Sequence, residues 1–257
     1  MLHINAQRLN EVKLLFLQGE WQRLCYKKVA VDGKDKISCP FSVGVAEDYV
    51  QSEKTVMIVG QEANSLTCDY DKWNLENMQK WAIAYLKKQL GIETDYTIDG
   101  KRLRYNHSPF WEFFRTFKNN GYFPCWNDLD RVKRYVGNNE YRLTLDEQGY
   151  AQRKILNEKF RNNKSLLQNE IDLLMPSVVV FAVGPKNPYF RTLGYAFDVD
   201  EKILNLHYPT PENPCREVSK ILGLDMPAYW TYHPNYLCRK GLLRHVIEEI
   251  IPISKTE

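Results

Sequence analysis

Two short runs, "TVMIV" at 55–59 and "VVVFAV" at 178–183, are apolar at almost every position, and each ends on a glycine, Gly60 and Gly184. A strand with one wet face alternates apolar and polar residues. A strand covered by helices on both faces reads as a continuous β-branched run, so these two stretches call for an α/β sheet. The intervening segments supply helices. "NAQRLNEVKLLFLQGEWQRLC" at 5–25 carries Leu9, Val12, Leu15, Phe16 and Leu17 at roughly helical spacing and predicts a helix with a break near Gly19. In "NLENMQKWAIAYLKKQLG", Leu75, Met78, Ala82, Tyr85, Leu86 and Leu90 share a face, and Gly91 is placed to end the helix. "SPFWEFFRTFKNNG" opens an aromatic helix after Ser108-Pro109, and "FPCWNDL" reads as a second strand. Ser165 and Gln168 have capping-box spacing before "LLQNEIDLL", and Pro176 stops that helix ahead of the Val178 run. "AYWTY" is a fourth strand candidate running into His233-Pro234, and "GLLRHVIEEII" is a closing amphipathic helix. Residues 128–164 are rich in Arg, Lys and Asn and have no strong apolar period. This order predicts a three-layer α/β/α fold around a parallel four-stranded sheet, with 1–257 as one domain carrying an N-terminal helical extension.

The chain has 257 residues and is 44% hydrophobic, enough for a sizeable core. A net charge of +3 permits a nucleic-acid partner without demanding one, since a domain pI above about 9 is the stronger footprint. Six cysteines, Cys25, Cys39, Cys68, Cys125, Cys215 and Cys238, form no C-x-x-C pair, which argues against a zinc ribbon and a compact disulfide framework. The start "MLHINAQRLN" has no basic n-region followed by an apolar h-region, and no apolar run approaches the ~20 residues that span a bilayer. The expectation is a cytoplasmic monomer with reduced thiols, no membrane partner, no metal and no cofactor.

Ligands in open α/β sheets bind beyond the carboxyl ends of the strands. If the four strands are parallel, those ends bring together Gly60-Gln61-Glu62-Ala63-Asn64, Asn127, Gly184-Pro185-Lys186-Asn187 and His233-Pro234-Asn235-Tyr236-Leu237. Taken alone, the polar residues after Gly60 read first as a helix cap, with Glu62, Asn64 or Ser65 serving the first amides of a following helix, because caps are far commoner than sites.

As an ordered set, "GQEANS", "CWNDL", "VVFAVGPKN" and "HPNYL" resemble the motifs of the uracil-DNA glycosylase superfamily, over roughly residues 55 to 250. That family pairs a first motif of the type GQDPYH or GxxPG with a last motif of the type HPSPL, and has a strand ending in a base-reading asparagine and a glycine-serine phosphate loop between them. The resemblance implies removal of uracil or a related deaminated base from DNA. Glu62 would orient water and face the cationic sugar, with Asn64 as a substitute, and His233 would donate to a pyrimidine carbonyl. Gln61 and Asn127 would serve the base edge, and Phe110 would be the stacking ring, with Trp111 second. Leu237 would be the wedge that fills the hole left by an extruded nucleotide. Lys186, Arg239, Lys240 and Arg244 would meet phosphates. Water is the implied nucleophile because no lysine lies in "GQEANS" or "HPNYL", although Lys186 stands in the third loop. The chain departs from the family pattern at Ala63 (proline), Asn64 and Ser65 (tyrosine and histidine), Pro185 (serine), and Asn235 and Tyr236 (serine and proline). The resemblance also leaves room for an inactive DNA-binding relative, or for an enzyme of free nucleosides or nucleotides.

Overall fold

The computed structural model describes residues 2–31, 36–38, 40–41, 43, 45–62, 75–92, 97–98, 101–102, 104–136 and 139–251. The central sheet is built from β1 (Thr55–Glu62), β2 (Phe123–Asp130), β3 (Val178–Phe181), β4 (Cys215–Glu217) and β5 (Ala228–Thr231), in the spatial order β2-β1-β3-β5-β4. The four strands foreseen are parallel, with Val59 beside both Asn127 and Phe181, and Trp230 beside Phe181. The expected four-stranded sheet is in fact five-stranded, because β4 adds an antiparallel edge to β5 with Thr231 opposite Cys215. Three residues carry no readable period, and short edge strands are what a sheet tolerates at its rim.

β1 also runs further than expected. Gly60 does not end the strand, which continues through Gln61 to Glu62, where Glu62 pairs with Asp130. The glycine is there for proximity, since a Cβ at position 60 would lie 2.5 Å from the Asp128 carboxylate and 3.1 Å from the Phe110 ring. Gly184 does turn the chain, at φ +72°, a conformation that costs side-chain-bearing residues but not glycine. β3 is correspondingly shorter than the apolar run, and Ala182 and Val183 are buried beyond its end.

Helices α1 (Leu2–Trp21), α2 (Leu75–Gln89), α3 (Pro109–Asn119), α4 (Glu147–Leu156), α5 (Leu166–Leu174), α6 (Tyr189–Phe197), α7 (Pro234–Arg239) and α8 (Leu243–Ile250) surround the sheet. The Ser165/Gln168 capping box closes the start of α5 as its spacing predicts. α1 does not break at Gly19. It continues to Trp21 and passes into a π-helical turn, Gln22–Tyr26, that turns Cys25 and Tyr26 inward. These residues join Leu17, Trp21, Val29, Val132, Leu143, Leu156 and Leu166 in a second, smaller core beside the main one. Residues 128–164, which lack a period, thus serve that core and a small antiparallel sheet in which Lys133–Val136 pairs with both Asn139–Arg142 and Lys36–Ile37.

Successive residues of a strand face opposite sides of its sheet. The Asn127 side chain meets Glu170 of α5, whereas the Asp128 carboxylate lies against Gly60 beside Phe110 of α3. α3 and α5 therefore cover opposite faces of β2. α3 packs against α7 and α8, while α5 packs against α1 and α6.

Candidate functional site

The parallel strands bring their carboxyl ends, at Glu62, Asp130, Phe181 and Thr231, to one edge of the sheet. His233 follows β5 by two residues and caps the N-terminus of α7, its Nδ1 accepting from the Asn235 amide at 3.2 Å. Burial depresses the imidazole from its ordinary 6.5 to about 4, so the ring is neutral at physiological pH. In a neutral imidazole one nitrogen accepts and the other donates. With Nδ1 the acceptor, the proton sits on Nε2.

Phe110, in the first turn of α3, lies nearly parallel to that imidazole, with ring centroids 5.6 Å apart and planes 12° from parallel. Its other neighbours are Trp111, edge-on at 5.3 Å, and Phe114 and Trp126 behind it. Trp111, the second candidate for a stacking platform, is a buried wall residue instead. Phe110 is half-buried and shares a face with His233, so the aromatic surface here is a pair of rings.

A cavity of about 450 Å³ opens beside His233, lined by Gln61, Arg142, Gly184, Lys186, Tyr232, Tyr236 and Arg239 among others. Gln61 is anchored by Nε2 donating to the Val183 carbonyl at 2.8 Å, which ties the end of β1 to the loop after β3. Gly184 is held from the other side, its amide bonded to Thr231 and its carbonyl accepting from the Trp230 indole at 3.1 Å. Lys186 and Arg239 are exposed at the rim, and the Arg239 guanidinium donates to the Asn235 carbonyl at 3.2 Å. Gln61, Lys186, His233 and Arg239 are thus brought together. Lys240, the C-cap of α7, is exposed and outside the cavity lining, and Arg244 pairs with Glu248 at 2.6 Å. The backbone of Glu62 ends β1 opposite Asp130, and Asn64 lies outside the described residues.

Two assigned residues sit elsewhere. Asn127 is fully buried on the α5 face, donating to Glu170 at 2.9 Å while its own Oδ1 accepts from the Asp128 amide. It cannot read a base in the cleft, because strand alternation aims it at the opposite layer. The residue β2 directs to the Phe110 side is Asp128, 1% exposed, whose Oδ1 accepts from the Trp126 indole at 3.1 Å. Leu237 has no exposed surface and packs in the main core beneath α7, so it is no wedge. Sequence reading missed Asp128, Arg142 and Tyr232. Period-2 counting from Trp126 would have flagged Asp128, but nothing local announces that Arg142, from the antiparallel hairpin, reaches this cavity.

Beneath the sheet edge on the α5 side lies a buried polar cluster. Glu170 accepts from Gln18, Asn127 and both terminal nitrogens of Arg131. Next to it, Arg153 pairs with Asp130 at 2.8 Å and donates to the carbonyls of Leu143 and Thr144. Every charge there is opposed by another, the usual condition for burial. Among the described residues, no three His, Cys, Asp or Glu side chains gather as a metal site would require.

No protein-family model matches the chain, and comparison with curated proteins and with solved structures finds no match. The functional reading therefore rests on the site itself.

Proposed function

We propose that this protein hydrolyses the N-glycosidic bond of uracil or a related deaminated base in DNA, within a three-layer α/β/α domain of the uracil-DNA glycosylase type. The observation that carries the reading is His233. It is a neutral imidazole, protonated on Nε2, stacked on Phe110 and bordering a cavity rimmed by Arg142, Lys186 and Arg239. Breaking the bond leaves the electron pair on the base and positive charge on the sugar, after which water adds its hydroxyl to the anomeric carbon and its proton ends on the base anion, which leaves as the neutral free base. A neutral N–H donor suits a carbonyl oxygen that becomes anionic only as the bond breaks, because the contact strengthens in the transition state more than in the ground state. The rim cations are matched to phosphodiesters on either side of the nucleotide. We assign Glu62 to the sugar side, where a carboxylate opposes the developing cation, and Gln61 to the mouth of the base pocket.

The test is incubation with oligonucleotides carrying uracil, hypoxanthine, xanthine or a thymine mismatch, followed by alkali to reveal abasic sites. Strand cleavage on at least one of them is expected, reduced about a hundredfold by His233→Ala, the scale of losing one donor to a developing anion. Glu62→Gln is expected to cost a similar factor. Absence of product on all four, with the protein folded, overturns the proposal.

A further inference from the structure

Tyr232 and Tyr236 stand at the mouth of the same cavity, stacked on one another with centroids 4.3 Å apart and planes 22° from parallel. Both are partly exposed. Tyr232 follows β5 directly, and Tyr236 sits one helical turn along α7, so the pair is fixed by the sheet and a capped helix rather than by a loose loop. Around it lie Arg142, Lys186 and Arg239, from three separate elements. Stacked rings beside spaced cations are the two components with which proteins hold unpaired nucleic-acid strands, rings for the base faces and cations for the backbone.

A base inside a duplex must be extruded before it can enter a pocket, which costs unstacking and leaves a gap that an apolar wedge commonly fills. The residue positioned for that task, Leu237, is locked in the main core with no exposed surface. Besides the partly exposed Tyr236, whose ring is stacked on Tyr232, α7 shows Asn235, Cys238 and Arg239 to solvent, with no aliphatic side chain among them.

We infer that the cavity takes single-stranded DNA, with a base adjacent to the target stacked on the Tyr232–Tyr236 pair and the backbone tracked by Lys186, Arg142 and Arg239. This rests on the cleft being the nucleic-acid site proposed above. A strand already unpaired needs no wedge, and the tyrosine pair supplies the stacking that the base loses with its neighbours.

The experiment uses the full chain, a fluorescein-labelled dT12 strand, and the same strand annealed to dA12, at two salt concentrations; cleavage is measured in parallel on uracil-bearing single strands and duplexes. dT12 is expected to bind at least tenfold tighter than the duplex. Tyr236→Leu should weaken dT12 binding by roughly tenfold, the scale of one lost base stack, while Tyr236→Phe retains it. Lys186→Ala should instead reduce the magnitude of the salt slope by about 0.7, the share of one phosphate contact in a single strand. Melting temperatures of the variants separate lost contacts from lost fold. Equal or tighter duplex binding, or Tyr236→Leu binding like the parent, overturns the inference while leaving the glycosidic reading intact. Tight dT12 binding without cleavage of any substrate upholds the strand inference and removes the hydrolase. No binding to either form overturns the inference, and uracil excision under those conditions would show that the glycosidic reading survives it.

Discussion

His233 has its proton inventory set by its surroundings. Its folded value lies near 4 against about 6.5 in an unfolded chain, so the unfolded state binds more protons between those values. Stability from this group is complete above pH 6.5 and is lost as pH falls through the window toward 4. The loss is at most on the order of 3 kcal/mol, one unit being worth about 1.4. Urea midpoints at pH 7 and pH 4.5 check this: the parent should lose more stability on acidification than His233→Asn, which cannot titrate. The excision activity proposed above should likewise have its histidine-dependent acid limb near pH 4 rather than 6.5. Gly60 is a steric case. Gly60→Ala places a methyl 2.5 Å from the Asp128 carboxylate, and the overlap should cost roughly 1–3 kcal/mol, read as a fall in Tm. Asn127 was legible as a polar residue late in a strand but not as a partner of Glu170. Asn127→Ala removes one of that carboxylate's buried donors and should destabilise by roughly 1–3 kcal/mol, measurable by urea unfolding.

At the scale of elements, the end of β2 is where the molecule invests its buried charge. Asp130 is held by Arg153 of α4 and Thr192 of α6, and Arg131, just past the strand, is held by Glu170 of α5. Three helices are therefore pinned to the carboxyl end of β2. Arg153→Met leaves the Asp130 carboxylate uncompensated in the interior and should cost roughly 3–5 kcal/mol, measurable by denaturant unfolding. The cap on α5 is a smaller term, and Ser165→Ala should cost about 1 kcal/mol. Helix spans such as Leu75–Gln89 and Pro109–Asn119 were readable because an apolar face, a Ser-Pro start or a terminal glycine is written locally. The β4 edge and the Lys133–Arg142 hairpin were not, because three- and four-residue strands are chosen by the partner they meet.

Over the whole molecule, two cores share the load. The main one lies on the sheet, and the smaller one docks α1 and its π-helical turn against α4 and α5. Trp21 is the keystone of the smaller core, with its indole donating to the Leu156 carbonyl at 2.8 Å. Trp21→Ala should cost roughly 3–5 kcal/mol, and hydrogen exchange should quicken in α1 and α4 before it does in the sheet. The sequence by itself determined the parallel strands, because uninterrupted apolar runs have no stable place except between helices, and it determined that their ends would meet at one edge. It also named Gln61, Lys186, His233 and Arg239, since residues just past a strand's carboxyl end inherit their position from it. Only the tertiary structure decided which way each side chain faces. A one-residue step along β2 sends Asn127 to α5 and Asp128 to Phe110, and a single turn of α7 buries Leu237 while leaving Tyr236 at the cavity mouth. Facing is set by what packs on either side, and those partners lie far away in the chain.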